Sequence, residues 1–357
     1  GQVRFGELII DDRVFDRQWV HPTWDRDELH RWWSAPVAGL NFHDNCLDVY
    51  PSPTRRGEAP RIIIRPDAPF LTTINRALTG NSTTFDLLRA PGTNRITFRG
   101  LVKHRSRSPF HVTMYDPPML FGQFLKHRLE GADVAVESVR RIADREALPE
   151  AVDLHIIQTT LPIVLKRCNS DSQNMFAEAL VKRMGRHFTG MPGSWENGNA
   201  AVRKAMVKLL GARAASITMA DGSGLSRDNR VTPRILAQLL AAVARHETRG
   251  PIFKQSLSFA DHRDQRGTLD RRNFDVPRHA AVHAKTGYIR GVSALSGYLD
   301  VTHPDTGETR TLVFSMLFNN VKPPVYGSHI TRAQEAVIEL LTDHAQAQLN
   351  AYADHGN

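Results

Sequence analysis

Three short stretches of the chain hold residue types that can do polar chemistry together. Lys285-Thr286-Gly287 sets a cation, a hydroxyl and a residue without a side chain in succession. The glycine lets another backbone come close, the threonine hydroxyl can bind a carboxylate, and the lysine supplies fixed positive charge. The run lies on a strand that begins a sheet edge. Ser172-Gln173-Asn174 puts a hydroxyl and a carboxamide two places apart at the mouth of a helix, where the serine by itself would act as an N-cap. Ser170-Asp171 is a decoy for the same spacing, because the residue after Asp171 is another serine. In "ADGSGLSRDNRVTP" (220–233), two glycines and an aspartate make a tight turn that delivers Ser226 and Arg227. Singly, these read as a common tripeptide, a cap and a turn. Together, with S-x-N 113 residues ahead of K-T-G and D-G-S-G-L-S-R between them, they point to serine acyl transfer.

That chemistry needs a nucleophilic serine with a lysine three residues on. No serine from Ser34 to Ser328 has one. A G-x-S-x-G elbow is also absent, since Gly222-Ser223-Gly224 is too compressed. No spacing joins Ser223 to any of the 16 histidines in the manner of a Ser/His/Asp hydrolase.

The elements that must position these residues fall into two textures. Up to about residue 110 the chain is a series of short β-type runs, "ELIID", "CLDVY", "RIIIR" and "RITFRGLV", parted by Pro, Gly, Asn and Asp. "DRDELHRWWS" (25–34) has the pattern of two helical turns. Residues 117–132 predict a helix with prolines in front and Gly131 as its stop, and 133–152 a strand and a return linker. Beyond 152 helices dominate, over 159–169, 172–188, 199–211 and 232–246. The second carries an apolar stripe of Met175, Phe176, Ala179, Leu180 and Met184, and the last opens with Thr232 as N-cap and Pro233 behind it. Three strands follow, "AAVHAKT", "GVSALSGYLDV" and "RTLVFSMLFNN", the last two joined by a turn at Asp305-Thr306-Gly307, and a final helix spans 330–351. Helices followed by an antiparallel run of strands predict an α+β domain over 153–357, preceded by a β-rich region over 1–152.

Composition narrows the function classes. At 41% hydrophobic and 23% charged residues the chain is globular, not disordered. No run of 18 apolar residues spans a membrane. The net charge of +9 favours anionic partners, yet the arginines are scattered along the sequence, and no recognition helix, zinc-finger spacing or aromatic–basic sheet motif supports nucleic-acid binding. The two cysteines, Cys46 and Cys168, read as small buried apolar residues.

"NSDSQNMFAEAL" (169–180), "DGSGLSRDNRVTP" (221–233) and "HAKTGYIRGVSALSGYL" (283–299) resemble the motifs of serine peptidase family S13, the penicillin-binding D-alanyl-D-alanine carboxypeptidases/endopeptidases of the DacB type. "GELIIDDRVFD", "WWSAPVAGLNFHDNCLDV" and "YDPPMLFGQFLKHRLEGADV" resemble the accessory region that this family inserts into its catalytic domain. The resemblance covers nearly the whole chain. It implies a β-lactamase/transpeptidase-like catalytic domain, an antiparallel sheet with helices, plus the β-rich insert. It implies a serine acyl-enzyme formed on peptidoglycan stem peptides, β-lactams as covalent inhibitors, a periplasmic or extracytoplasmic location, and neither cofactor nor metal.

By the same resemblance Ser172 relays the leaving-group proton, Asn174 aligns the peptide amide and Lys285 supports that network electrostatically. Thr286, beside Gly287, binds the terminal carboxylate. Arg227 and Arg290 meet the stem peptide. Glu28, beside Asp27, and Trp33 reach toward its side chain, where a carboxylate suits a free amine such as that of diaminopimelate. Gln173 departs from the family's S-D-N, at a position whose side chain need not face the substrate. The family places S-x-x-K ahead of the insert. The expectation is therefore a nucleophile encoded before Gly1, a catalytic domain N-terminally incomplete in these 357 residues, and no turnover by them alone. A non-catalytic peptidoglycan-binding protein of the same fold is the alternative.

Overall fold

A computed structural model describes residues 3–148, 150, 152–270, 272, 274, 276–325 and 327–355. It divides the chain into one unit of 1–153, 177–199 and 221–226 and another of 154–176, 200–220 and 227–357.

The first unit is strand-rich, as its turn residues predict. Its strands are β1 (Arg4–Ile10), β2 (Cys46–Ser52), β3 (Arg61–Arg65), β4 (Thr73–Asn75), β5 (Leu78–Thr79), β6 (Asp86–Arg89), β7 (Ile96–Arg99), β8 (Leu101–Val102) and β9 (Phe110–Thr113). Helix α1 (Pro117–Glu130) and strand β10 (Ala135–Arg141) follow. They form small sheets: β3-β2-β9, β4-β7-β6, and the parallel pairs β1-β10 and β5-β8. Period-two alternation sends Leu47, Val49, Leu87, Ile96, Phe98 and Val112 into one core with Leu120 and Phe124 of α1. Asp116 caps α1 by accepting from Met119 N, and Gly131 N closes it on His127 O, as the flanking residues predict. The stretch 25–34 makes two short 3₁₀ turns, Arg26–Glu28 and Trp32–Ser34, in place of a regular helix.

Helices α2 (Leu161–Asn169), α3 (Asn174–Thr189) and α4 (Trp195–Leu210) follow, then α5 (Pro233–Ala244) and α6 (Arg249–Ser256). Strands β11 (Ser258–Ala260), β12 (Gln265–Arg266), β13 (Ala280–Ile289), β14 (Val292–Thr302) and β15 (Thr309–Phe318) precede α7 (Gly327–His355). The second unit is built on the antiparallel sheet β12-β11-β13-β14-β15. The expected hairpins are present, with Gly307 at φ 72° in the β14–β15 turn. Thr232 caps α5 through Ile235 N, and Gly211 (φ 80°) stops α4. Val282, Ala284, Leu295, Leu299 and Phe314 meet Ile338, Ala345 and Leu349 of α7 in the core. β13 is the third of five strands, because the short β11 and β12 extend the sheet on its far side, but β11 flanks it only over Val282–Ala284. Runs of two and three residues are too brief to show a period in sequence. Both cysteines are buried thiols.

Candidate active site

Lys285 owes its direction to the strand. Ala280, Val282 and Ala284 of β13 are buried in the core, so alternation turns Lys285 to the opposite face. There its Nζ donates to Ser172 Oγ at 2.8 Å and to the Thr286 carbonyl at 2.6 Å. No carboxylate pairs with it among the described residues. Burial without a counter-charge lowers its pKa from 10.5 to about 8.

Ser172 is not an N-cap. α3 starts at Asn174, and Ser172 sits at φ 56°, a left-handed conformation that non-glycine residues seldom adopt. The turn between α2 and α3 holds it there. Asp171 N bonds to Lys166 O, Gln173 N to Arg167 O, and Asp171 pairs with Arg167 at 2.7 Å. Behind the turn, Asn169 Nδ2 donates to Ser256 Oγ at 2.8 Å and Ser258 Oγ to Ser170 O at 3.3 Å. Gly267 (φ 68°) closes this packing, since a Cβ there would collide with the hydroxyls of Ser170 and Ser258. The decoy serine of the sequence thus has a role: it anchors the turn that presents its neighbour. Asn174, half-buried, opens α3 two residues later.

Thr286 and Gly287 continue β13 beside Lys285, opposite Leu295 and Ala294 of β14. β11 pairs with β13 only through Val282–Ala284, so residues 285–289 have no strand partner on that side among the described residues. A Cβ on Gly287 would meet the Cβ of Ala294 at 3.3 Å. At the far end of this stretch Arg227 Nη2 donates to the Arg290 carbonyl at 2.8 Å, and both guanidinium groups are exposed. The second unit thus brings Lys285 to Ser172, with Thr286 and Gly287 next along β13 and Asn174 two residues after Ser172, and links Arg227 to Arg290. Glu28 and Trp33 belong to the first unit, where Trp33 Nε1 donates to Glu28 Oε2 at 3.1 Å.

Two carboxylates in the first unit shape the Asp-Gly-Ser-Gly turn: Asp221, legible in the sequence as a turn residue, and Glu178, which was not. Glu178, fully buried, accepts from Gly222 N (2.8 Å), Ser223 N (2.8 Å) and Trp195 Nε1 (2.7 Å). Asp221, 2% exposed, accepts from Gly224 N (2.9 Å), Ser226 N (2.5 Å) and Trp24 Nε1 (2.9 Å). Four backbone N–H groups of one turn therefore end on two buried carboxylates. Burial, followed by the neighbouring Asp221 charge, raises Glu178 to about 6. Glu178 lies on the buried face of α3 with Met175, Val181 and Lys182, off the apolar stripe read from the sequence, whose Met184 is exposed.

This arrangement lies on a known fold. The crystal structure of penicillin binding protein 4 (dacB) from Haemophilus influenzae superposes with a TM-score of 0.70 at 21% identity, covering 94% of this chain and 75% of that one. The structure of that protein complexed with a β-lactam gives 0.61, covering 85% and 71%. The fold is thus the α+β, transpeptidase-like fold of that protein. The model of the D-Ala-D-Ala carboxypeptidase 3 (S13) family matches residues 2–342, and the chain belongs to that family. The D-alanyl-D-alanine carboxypeptidase of Actinomadura sp. (strain R39) is 29% identical over 96% of this chain and 64% of its own length. The DacB carboxypeptidase of Haemophilus influenzae is 24% identical over 82% and 62%. The chain spans less than two thirds of the length of either relative.

Proposed function

We propose that the protein is a serine-type D-Ala-D-Ala carboxypeptidase/endopeptidase that acts on peptidoglycan stem peptides outside the cytoplasm and is acylated by β-lactams. Residues 153–357 are then the C-terminal part of its transpeptidase-like domain, and 1–152 the inserted accessory region. The observation that carries the reading is the 2.8 Å contact from Lys285 Nζ to Ser172 Oγ, which joins S-x-N to K-T-G. A half-buried cation with no carboxylate beside it among the described residues suits a site that receives an anion, and a pure wall-binding protein has less use for it.

In this reading the terminal carboxylate of the peptide, or of a β-lactam, meets Thr286 Oγ1 and the field of Lys285. The peptide backbone lies along the unpaired side of residues 285–289, where Gly287 adds no bulk. Ser172 passes the proton to the leaving amine, held in position by Lys285, and Asn174 aligns the scissile amide. Arg227 and Arg290 contact the stem peptide. A carboxylate beside an indole, as in Glu28 and Trp33, suits a free amine on its side chain. The nucleophile, a serine with a lysine three residues on, belongs to a part of the protein outside these 357 residues, which alone turn over nothing.

The test is labelling of the full-length protein with a fluorescent penicillin and mapping of the adduct by mass spectrometry. An adduct on a serine of an S-x-x-K outside 1–357 supports the reading. An adduct within 1–357 removes the assignment of the nucleophile. Reversible binding to peptidoglycan with no adduct replaces the enzyme by a wall-binding protein.

A further inference from the structure

Lys and Arg occur along the whole chain, but the excess of positive charge does not. Residues 51–108 hold eleven Lys/Arg against three Asp/Glu, which leaves 35 against 34 for the remainder of the chain. Almost the whole excess of +9 therefore sits in one stretch of the first unit. A charge kept for solubility alone has no reason to collect there.

Within that stretch the backbone gathers six cations at one end of the β module. Ser106 N donates to Pro51 O at 3.1 Å, which brings Arg105 and Arg107 to the end of β2. Ser52, the next residue of β2, pairs with Arg61 of β3. The turn carrying Arg55 and Arg56 is tied to Thr79 through Thr54 N (2.9 Å to the hydroxyl) and Gly57 N (2.9 Å to the carbonyl). Thr79 in turn pairs with Val102, the residue before Lys103. All six side chains are exposed, and none makes an ion pair among the described residues; Glu58 is the one acidic residue of this turn. Asp86, which could have offset them, is already held by Arg31 and Arg99.

Five of the six are arginines, whose planar forks match phosphate oxygens two at a time. Their positions on turns and strand ends follow a flexible chain better than a flat surface. Among the described residues Leu78 is the one large apolar side chain exposed beside them, too little to seat this end in a lipid layer. We propose that this end of the β module is a docking surface for a flexible polymer of phosphodiesters, holding the protein on a phosphate-bearing polyanion. The surface is independent of the acyl-transfer reading.

Titration of labelled poly(glycerol phosphate) with the full-length protein tests it. Binding should weaken more than tenfold between about 50 and 200 mM salt, since each neutralised phosphate releases counterions. Arg105→Glu/Arg107→Glu should lower affinity at least tenfold. Arg203→Glu/Lys208→Glu on α4, with the same change in net charge, should leave it within twofold. Arg105→Gln/Arg107→Gln, compared at matched melting temperature, covers any folding defect of the reversal. Absence of binding, equal losses in the two reversed variants, or binding unaffected by both overturns the proposal. Tighter capture by phosphatidylglycerol vesicles, or by an oligonucleotide of equal charge, overturns the choice of partner.

Discussion

Lys182 and Lys285 are both withdrawn from water, one in each unit, and their surroundings differ. Lys182, fully buried on α3, donates to Asp16 Oδ1 and Gln18 O at 2.6 Å each, with its Nζ 3.9 Å above the ring of Trp195. Lys285 has a hydroxyl and a carbonyl, and no carboxylate among the described residues. Burial lowers the pKa of both, and at Lys182 Asp16 works against it. The first lysine is committed: its counter-ion is part of the fold. The second has no carboxylate beside it among the described residues, and in the proposed function an incoming carboxylate supplies one. In that reading the difference separates a structural ion pair from a group kept for a ligand.

Substitution breaks this contrast most directly. Lys285→Ala in the full-length protein should slow acylation by a labelled β-lactam by about 100- to 1,000-fold, because charge stabilisation in the transition state is lost, with the fold retained. Unchanged acylation removes the assigned role. Lys182→Met should do the reverse. It strands Asp16 and should lower stability in urea by on the order of 2–4 kcal/mol, while acylation per folded molecule stays near wild type.

The pH response sharpens the contrast. A lysine depressed from 10.5 to about 8 burdens the fold while it is charged, below about pH 8, and the burden lifts as pH rises toward 10.5. Lys285→Met should therefore raise the melting temperature at pH 7, an advantage that vanishes near pH 10.5. Acylation by the wild type should fall as pH rises through about 8, and Lys285→Arg should lose that limb. Thr286→Val has a smaller expected effect, about tenfold weaker acylation by a carboxylate-bearing β-lactam.

Glu178 gives the smallest signal and the opposite charge. Its folded pKa is raised, so its contribution to stability is full below about 4.5 and is lost as pH rises through about 6. Thermal melts from pH 4 to 8 should show this fall of on the order of 1–2 kcal/mol in the wild type and not in Glu178→Gln. A wild-type profile flat across that window counts against the buried pair.

Long patterned segments were legible in the sequence, and short ones were not. The 16-residue α3 and the ten-residue β13 announce themselves by period, and Thr232 and Gly211 mark helix ends by their own chemistry. β11 and β12 are recognisable only by what they pair with. Ser172 was legible as a candidate by its spacing to Asn174, but its left-handed backbone was not, because the contacts that hold the turn come from residues 256–267, about 90 positions away. Glu178 was hidden for a related reason: its donors lie 17 to 45 residues downstream.

The amino-acid sequence by itself determined which residue types stand at which spacing: S-x-N, the Asp-Gly-Ser-Gly turn, K-T-G, and the absence from these 357 residues of a serine with a lysine three places on. Those are properties of the order of residues, and local propensity sets the elements that carry them. Tertiary structure alone decided that Lys285 lacks a carboxylate among the described residues, that its Nζ reaches Ser172, and that cations from Arg55 to Arg107 share one end of a β module. Charge and hydrogen bonding act through space, and the distances that govern them appear only once remote segments have packed.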